Sequence, residues 1–550
     1  MGRLPQTVMN IRNAIDKWRQ VKPYGAAYLA RRAREKLTEC CLHLYDRRWR
    51  AARPGESELA RQRANQPEAG LISIAVPVYN TDPRMLEEML ESFLSQTYAN
   101  WEACLYDASI NEDTREVLRK YSERDPRIRV TFSERNDGIS GNTNHAFAMA
   151  RGAWTALCDH DDLYTPDALW RLAERIAADA PDVLYTDEDR ITENSAYVTE
   201  PHYKPDFCPD NLRSSNYICH LVCVRTALLR KIGGERGSFD GSQDHDLVLR
   251  CMEETDRFYH IPEVCYHWRI VRSSESHQHL DRCLQAACAA TAEHMARIGF
   301  PGEAVMERSV ERLRYALPAE RTVAVILLRH PDGDEAGLRE SLSEYGWADS
   351  VTAISPEPGA LAEAAQGIQA EFTLVLDTRL KLTDRSFADE LLMYAQRPDV
   401  GAVTPVIADR RKRIIHAGYA VDGDGGCHGR NRGMRCGAGG TYLMAFKSHN
   451  VTAVSALCLM ARTEALRSLE ADWQGIGAAV EGWCLAMQQR GFRHVFTPHA
   501  RAVMTAPDQD IPPCAADQRR LKTLLPEGWH DPCWNRHLDI QKTDFSENRG

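Results

Sequence analysis

The sequence predicts an α/β protein built on a mostly parallel β-sheet flanked by helices. Three observations predict it. From residue 71 onward, short apolar and β-branched runs alternate with amphipathic helical patterns. Several of these runs end abruptly in acidic residues. A second, weaker series of the same kind begins near residue 320, which indicates an internal repeat. Such alternation is typical of parallel strands joined by crossover helices.

The first unit opens with the buried-strand pattern LISIAVPVYN, followed by the helix pattern RMLEEMLESFLSQTY. The alternation continues through the strand patterns WEACLYD, RIRVTFS, AWTALCD and DVLYTDED, and a long helix pattern at residues 281–300 closes the unit. In sheets of this kind, ligands bind beyond the carboxyl ends of the strands. We therefore expect Tyr79, Asp107 and the cluster from Asp159 to Asp162 to lie at one edge.

The second unit begins with RTVAVILLRH. The segment QAEFTLVLDTRLKLTDRSF in this unit is similar to RGAWTALCDHDDLYTPDAL in the first. In that comparison, Asp377 and Arg379 stand where the first unit has Asp159 and Asp161. The predicted domains are an N-terminal arm at 1–70, units at 71–315 and 320–505, and a C-terminal extension at 506–550.

Charge is distributed unevenly along the chain. The net charge is −10, yet the first 70 residues contain 15 Lys and Arg against 7 Asp and Glu. We predict that this basic helical arm either binds an anionic membrane surface or an acidic partner, or packs on the body as a solvated arm. The sequence lacks a signal-peptide pattern and any run near the ~18 apolar residues of a membrane span, so we expect a cytoplasmic location.

The 17 cysteines are scattered along the chain and form no CxxC pair. This pattern predicts neither a disulfide framework nor a zinc ribbon.

The stretch WTALCDHDDLYTPDAL places three carboxylates within four positions at the end of a predicted strand. Carboxylates this close stay ionised near neutral pH only in water or beside a cation. Mg²⁺ commonly binds one or two protein carboxylates together with substrate phosphates. The pattern therefore predicts a site for a metal-bound diphosphate at Asp159 and Asp161, although an isolated acidic turn is a common structural feature.

A second acidic set, FDGSQDHDLVLR, starts a predicted helix. Asp244 is either a general base for a hydroxyl nucleophile or simply an acidic residue at a helix N-terminus. The segment HIPEVCYHWR contributes His267. Its aromatic surroundings are equally typical of a core histidine and of a metal or diphosphate contact.

Six motifs together resemble a known family: ISIAVPVYN, LYDASINEDT, NDGISGNTNHAFAMARG, CDHDDLYTPDAL, GSQDHDLVLR and YHWR. Their order and spacing along residues 71–275 are similar to those of family 2 glycosyltransferases, which have the GT-A fold. The second half is similar to the second unit of the bacterial members that build O-antigen, rhamnan or other surface polysaccharides. The resemblance covers nearly everything after residue 70.

The resemblance implies roles for particular residues. Donor and nucleotide contacts fall on Pro77, Tyr79, Asp107, Asn144 and Asp159. Contacts to a Mn²⁺ or Mg²⁺ ion fall on Asp159, Asp161 and His267. The catalytic base falls on Asp244.

Two departures from the family pattern lie in the first unit. The second strand ends in the single Asp107 where many relatives have an acidic pair, and Gln243 stands where Glu is usual. In the second unit, Val480, Gly482 and Met504 occupy the positions of the base, its neighbouring carboxylate and the histidine. We therefore expect the second unit to be a GT-A-like scaffold without catalysis.

The resemblance implies an inverting, metal-dependent glycosyltransferase. Its donor would be a nucleotide sugar, with dTDP-rhamnose or a UDP-sugar favoured, and its acceptor a hydroxyl of a growing surface glycan or a lipid-linked glycan. The alternatives are a non-catalytic carbohydrate-binding or scaffold protein and a metal-dependent phosphotransferase. No nucleic-acid partner is expected. The arm at 1–70 would provide contact with the inner face of the cytoplasmic membrane or with other polysaccharide-assembly proteins.

Overall fold

The computed structural model describes residues 44–271, 280–506 and 513–542. Most of the predicted basic arm, residues 1–43, lies outside the described residues, as do 507–512 and 543–550 of the predicted C-terminal extension. No helix in the described ranges combines the length and the apolar character that a membrane crossing requires.

The described chain divides into two units. The N-terminal unit comprises residues 44–207 and 215–298, and the C-terminal unit comprises 208–214 and 299–542. The predicted boundary near 315 differs from this division, because the hairpin at 302–315 packs within the C-terminal unit, where Tyr315 meets Tyr394 edge-on at 5.5 Å. The predicted extension is likewise part of that unit's hydrophobic core, through Leu521 and Trp529.

The N-terminal unit contains nine strands among its described residues. They are β1 (Ile72–Val78), β2 (Trp101–Asp107), β3 (Ile128–Phe132), β4 (Trp154–Leu157), β5 (Leu163–Tyr164), β6 (Val183–Thr192), β7 (Val198–His202), β8 (Val222–Arg225) and β9 (Phe258–Ile270).

Its described helices pack around this sheet or precede it. They are α1 (Leu44–Ala52), α2 (Glu56–Ala64), α3 (Pro83–Leu94), α4 (Glu112–Arg124), α5 (Gly138–Met149), α6 (Ala168–Asp179), α8 (Thr226–Ile232), α9 (Gln243–Glu254) and α10 (Leu280–Arg297). Helix α7 (Pro209–Ser214) belongs to the C-terminal unit.

The sheet order is β3-β2-β1-β4-β8-β6-β9-β5, with β7 beside β6. Strands β3, β2, β1 and β4 are parallel, as the alternation predicts. The antiparallel strand β8 lies between β4 and β6, so the far half of the sheet is mixed. The prediction of a mostly parallel sheet therefore holds for the half that begins the unit.

Local sequence explains several element boundaries. Helix α3 begins at Pro83, whose missing N–H costs nothing in a first turn, and Asp82 caps it by accepting from the N–H groups of Arg84 and Met85. Asn111 caps α4 in the same way through Thr114 N–H. These caps place both helices directly after the carboxyl ends of β1 and β2.

The C-terminal unit contains thirteen strands in the described ranges. They are β10 (Gly302–Glu307), β11 (Val310–Tyr315), β12 (Val323–Leu328), β13 (Ser350–Ile354), β14 (Phe372–Asp377), β15 (Leu380–Leu382), β16 (Val400–Ala408), β17 (Ile414–His416), β18 (Tyr419–Val421), β19 (Cys427–Gly429), β20 (His449–Val451), β21 (Cys458–Arg462) and β22 (Arg493–Met504).

Its remaining helices are α11 (Glu335–Tyr345), α12 (Ala360–Gly367), α13 (Phe387–Ala395), α14 (Thr463–Leu466), α15 (Ile476–Gln489) and α16 (Ala515–Thr523).

The main sheet of the C-terminal unit repeats the order of the first. Its order β13-β12-β14-β21-β16-β22-β15 corresponds to β2-β1-β4-β8-β6-β9-β5, with the same parallel and antiparallel pairings throughout. A buried hydroxyl pair also recurs, Thr155 with Thr226 at 2.9 Å and Thr373 with Thr463 at 2.8 Å. The weak sequence repeat therefore reflects a duplicated fold.

Candidate active site

The ends of β1 and β2 form one wall of the candidate site. Pro77 is half-buried, and Tyr79 leaves the strand with 41% of its surface exposed. In the adjacent strand Asp107 is fully buried, where its carboxylate accepts from Ser109 N–H and lies 3.3 Å from the Arg115 guanidinium. An exposed aromatic ring and a fixed carboxylate are groups that can bind a nucleoside. The nucleotide contacts predicted for Pro77, Tyr79 and Asp107 stay a prediction.

The acidic turn joins β4 to β5. Asp162, the last of its carboxylates, is buried and accepts from Tyr266 Oη and from Arg269 N–H, both at 2.6 Å. Arg269 also donates to the Asp161 carbonyl. These contacts hold the turn, while the Asp159 side chain remains 53% exposed. Burial raises the pKa of Asp161, with a further contribution from the charge of Asp159.

One group of potential metal ligands occurs among the described residues, formed by Asp159, Asp162 and His220. Their donor atoms lie within 4.8 Å of one another. The His220 ring stacks on Tyr266 at 4.8 Å, which places Nε2 3.9 Å from Asp159 Oδ2. The two carboxylates suit Mn²⁺ or Mg²⁺, and the imidazole favours Mn²⁺, because Mg²⁺ prefers oxygen ligands. Since both Asp162 oxygens already accept hydrogen bonds, Asp159 and His220 are the more available pair.

His267, predicted as a metal contact, is not in this group. It is buried in β9, its Nδ1 is paired with Asp189, and its ring meets Trp49 edge-on at 4.8 Å. Tyr45 Oη also donates to Asp189, at 2.8 Å. This arrangement matches the core-histidine interpretation, and metal contact by His267 stays a prediction.

Asp244 lies in the first turn of α9 and is half-buried. Asn216 donates to its Oδ2 at 2.7 Å, which orients the carboxylate and leaves Oδ1 available to accept a proton. The next carboxylate, Asp246, is fully buried between Arg236 and Arg250 and is structural. Of the two, Asp244 is the one placed to act as a base.

Asn144, predicted to contact the nucleotide, binds the Glu235 backbone in the structure, and the nucleotide contact stays a prediction. Its amide accepts from Glu235 N–H and donates to the Glu235 carbonyl, both at 2.8 Å. Gly234 must be glycine here, because a Cβ would lie 2.1 Å from Asn144 Oδ1. The geometry makes Asn144 a clamp on the Gly234–Glu235 turn.

That turn carries Glu235, a residue that the sequence reasoning missed. It is 6% exposed, and its Oε2 has no hydrogen-bond partner among the described residues. Burial raises its pKa well above the usual value, and the charges of Asp244 and Asp159 raise it further. A glutamate directly after Gly-Gly, close to FDGSQDHD, was the available signal.

We expect Glu235→Gln to stabilise the protein increasingly as the pH rises. Because the native pKa of Glu235 is raised, the folded state binds this proton more tightly than the unfolded state. The native glutamate therefore costs stability above its unfolded pKa, by up to about 1.4 kcal/mol per pH unit until the native pKa is reached. Urea unfolding at pH 5.5 and 8 measures this difference.

The matched control for that measurement is Glu116→Gln, at an exposed position in α4. Its effect should not change between the two pH values. An equal effect of both substitutions at both pH values would show that Glu235 is ionised like a surface carboxylate.

The corresponding turn of the C-terminal unit is chemically different. The Arg379 guanidinium binds both oxygens of Asp377, at 2.9 and 2.8 Å. Val480 is fully buried in α15, and Met504 is buried at the end of β22. The Asp377 carboxylate, at the position that would face a ligand, is thus neutralised by Arg379 of the same turn.

Residues 73–232 match the family model described as Glycosyl transferase family 2. This part of the chain is a family 2 glycosyltransferase domain. The match extends from β1 into α8 and includes the acidic turn and His220. The resemblance stated from the sequence is thereby confirmed for this domain.

Related proteins extend the similarity beyond the glycosyltransferase domain. An uncharacterized protein, y4gI, of Sinorhizobium fredii is 32% identical over 89% of this chain and 59% of its own length. The O-antigen biosynthesis protein RfbC of Myxococcus xanthus is 31% identical over 91% of this chain and 43% of its own. The chain thus spans about half the length of these relatives.

Among solved structures, S. aureus TarS residues 1–349 in complex with UDP-GlcNAc matches 41% of this chain and 66% of that chain. The TM-score is 0.35 and the sequence identity 20%.

Proposed function

We propose that this protein transfers a sugar, with inversion, from a nucleotide-diphosphate donor to a hydroxyl group of a growing surface glycan or a lipid-linked acceptor. The observation that carries the proposal is the match of residues 73–232 to the family 2 model, with the acidic turn inside that range and the oriented Asp244 beyond it in the same unit. The name of the M. xanthus relative, an O-antigen biosynthesis protein, supports a surface polysaccharide as the product. We favour dTDP-rhamnose or a UDP-sugar as donor.

In this proposal Asp244 accepts the proton of the acceptor hydroxyl as its oxygen attacks the anomeric carbon. Asn216 supports the reaction by holding one carboxylate oxygen in place. The nucleoside lies along Tyr79 and Asp107, and the diphosphate lies toward Asp159. The proton moves to Asp244 and the electron pair of the broken bond leaves with the nucleoside diphosphate.

Asp159 and His220 would hold a divalent cation in this site, with the sequence-predicted ligand Asp161 in the same turn. A bound Mn²⁺ or Mg²⁺ supplies neutralisation of the charge that develops on the leaving diphosphate. The buried contacts of Asp162 with Tyr266 and Arg269 keep the turn in shape for this role.

The phosphotransferase alternative loses support because residues 73–232 belong to a glycosyltransferase family. The scaffold alternative remains for the C-terminal unit, where the Arg379 guanidinium forms an ion pair with the Asp377 carboxylate. We propose that this unit does not catalyse transfer.

Asp161→Ala should abolish the Mn²⁺-dependent part of nucleotide-sugar binding, because it removes a carboxylate from the acidic turn. Asp377→Ala, in the corresponding turn of the second unit, should leave that binding unchanged. Isothermal titration of each variant with UDP- and dTDP-sugars, with and without Mn²⁺, measures the difference. Donor hydrolysis by the same proteins tests whether the bound sugar is activated.

Two results would contradict the assignment. One is unchanged metal-dependent binding in a folded Asp161→Ala protein, and the other is loss of transfer in a folded Asp377→Ala protein. The second result would locate an active site in the C-terminal unit.

A further inference from the structure

The hairpin between β16 and β17 carries the sequence DRRKR at residues 409–413. Arg410, Arg411 and Lys412 are exposed at its turn. Asp409 closes the turn from within, since its carboxylate accepts from Arg413 N–H at 2.7 Å and its carbonyl accepts from Lys412 N–H at 2.9 Å. The turn therefore has a defined backbone and presents three consecutive cationic side chains to solvent.

One further exposed cation, Arg435, lies beside this turn, and another, Arg501, lies on the neighbouring strand. Arg435 is brought there by a backbone bridge between Arg413 and Arg435, and Cys436 N–H donates to the Lys412 carbonyl at 2.8 Å. Arg501 lies on β22, paired with Val406 of β16. We call Arg410, Arg411, Lys412, Arg413, Arg435 and Arg501 the basic tip.

None of these six side chains has a carboxylate within 4.0 Å among the described residues, although Asp409 lies in the same turn. Some exposed cations elsewhere on this unit are paired, such as Arg329 with Glu335 at 2.9 Å and Lys522 with Asp424 at 2.6 Å. Six clustered cations repel one another and cost stability unless an anion is nearby. A concentration of this kind in a chain of net charge −10 indicates an anionic partner.

We propose that the basic tip is a docking surface for an anionic lipid bilayer. Five of its six cations are exposed, and Arg410, Arg411 and Lys412 lie on the turn itself. A headgroup layer is a plane of negative charge that such a surface can meet in any lateral register. The tip itself contains no aromatic side chain, whereas surfaces for single-stranded nucleic acid combine cations with aromatic stacking.

The contact should be electrostatic and reversible. In the described part of the C-terminal unit no large hydrophobic side chain is exposed, so nothing there inserts among acyl chains. Binding should therefore weaken as salt shortens the reach of the charges, which is about 10 Å at 0.1 M ionic strength. This inference does not depend on the transfer reaction, because vesicle binding is measured without donor or acceptor.

The test is co-sedimentation of the full-length protein with phosphatidylcholine vesicles, with and without phosphatidylglycerol. We expect binding only to the anionic vesicles, falling as salt is added. The triple variant Arg410→Gln, Arg411→Gln, Lys412→Gln should reduce the partition coefficient on the order of 100-fold, since each cation near an anionic surface contributes about fivefold. All three side chains are exposed, so the fold should persist in circular dichroism.

The matched control neutralises three exposed cations elsewhere on the same unit, Arg329→Gln, Arg490→Gln and Lys522→Gln. It should bind anionic vesicles like the native protein. Equal binding by the two triple variants would overturn the proposal, and so would equal binding to both kinds of vesicle. Tip-dependent binding to single-stranded RNA that is tighter than binding to anionic vesicles would also overturn it, in favour of a polyanion site.

Discussion

Replacement of Asp244 by asparagine is expected to lower the turnover number by a factor on the order of 10²–10⁴, the usual contribution of a general base. This corresponds to about 3–5 kcal/mol of activation free energy. Donor binding should persist, because the amide is nearly isosteric and can still contact Asn216, which holds the carboxylate at 2.7 Å in the native protein. Initial rates at saturating donor, together with titration of the donor, separate the two effects.

Asp256→Asn is a suitable control for this experiment, because Asp256 is exposed just beyond the end of α9. It should retain native turnover. Near-native turnover in Asp244→Asn would remove Asp244 from the mechanism and direct the search for a base to the other carboxylates of the unit.

The second large effect concerns the stability of the C-terminal unit. Asp210, on α7, is fully buried and accepts two hydrogen bonds from the Arg397 guanidinium and one from Asn450 Nδ2 at 2.9 Å. Asp210→Ala would leave the buried Arg397 with a single carboxylate partner, Asp399. Removing one member of a buried ion pair typically costs about 3–5 kcal/mol. We expect a loss of this size in urea unfolding.

Asp399→Ala is the matched control, because it removes the other partner of Arg397, whose side chain is 42% exposed. It should cost less than Asp210→Ala, because the Asp399 carboxylate is partly solvated in the native protein whereas Asp210 is fully buried. Burial opposes ionisation of Asp210, but Arg397 and Arg213 hold its native pKa well below the usual value. Its contribution is therefore complete above the unfolded pKa of about 4 and is lost as the pH falls below that value. Equal losses for the two variants would show that Asp210 has no special role.

Much of the N-terminal half of the sheet was predictable from the sequence. The burial of a strand, or of one face of a helix, produces a periodic pattern of apolar residues in the local sequence. The run LISIAVPVYN became β1, and AWTALCD became β4 leading into the acidic turn. The place of Asp244 in the first turn of a helix was predictable for the same reason. The insertion of the antiparallel β8 between β4 and β6 was not, since strand order depends on contacts between distant segments.

The candidate site shows the same division. His220 meets Asp159 across 61 positions of sequence, and nothing local to NYICHLV predicts that its ring stacks on Tyr266. Asn144 has the residue type of a nucleotide ligand, yet the structure uses both ends of its amide on the Glu235 backbone. The hydrogen-bond partner of a side-chain amide depends on which groups the packing of the chain brings within about 3 Å of it.

The sequence by itself determined the α/β alternation, the duplication, the acidic turn and the replacement of one of that turn's carboxylates by Arg379 in the second copy. These properties depend on residue type and short-range spacing. Only the tertiary structure decided which carboxylates are exposed, which are buried and which segments belong to each unit. Asp159 faces solvent while Asp162, three residues later, is enclosed by Tyr266 and Arg269. The reason is that the charge state and availability of a carboxylate depend on its desolvation and neighbours, which distant parts of the chain supply.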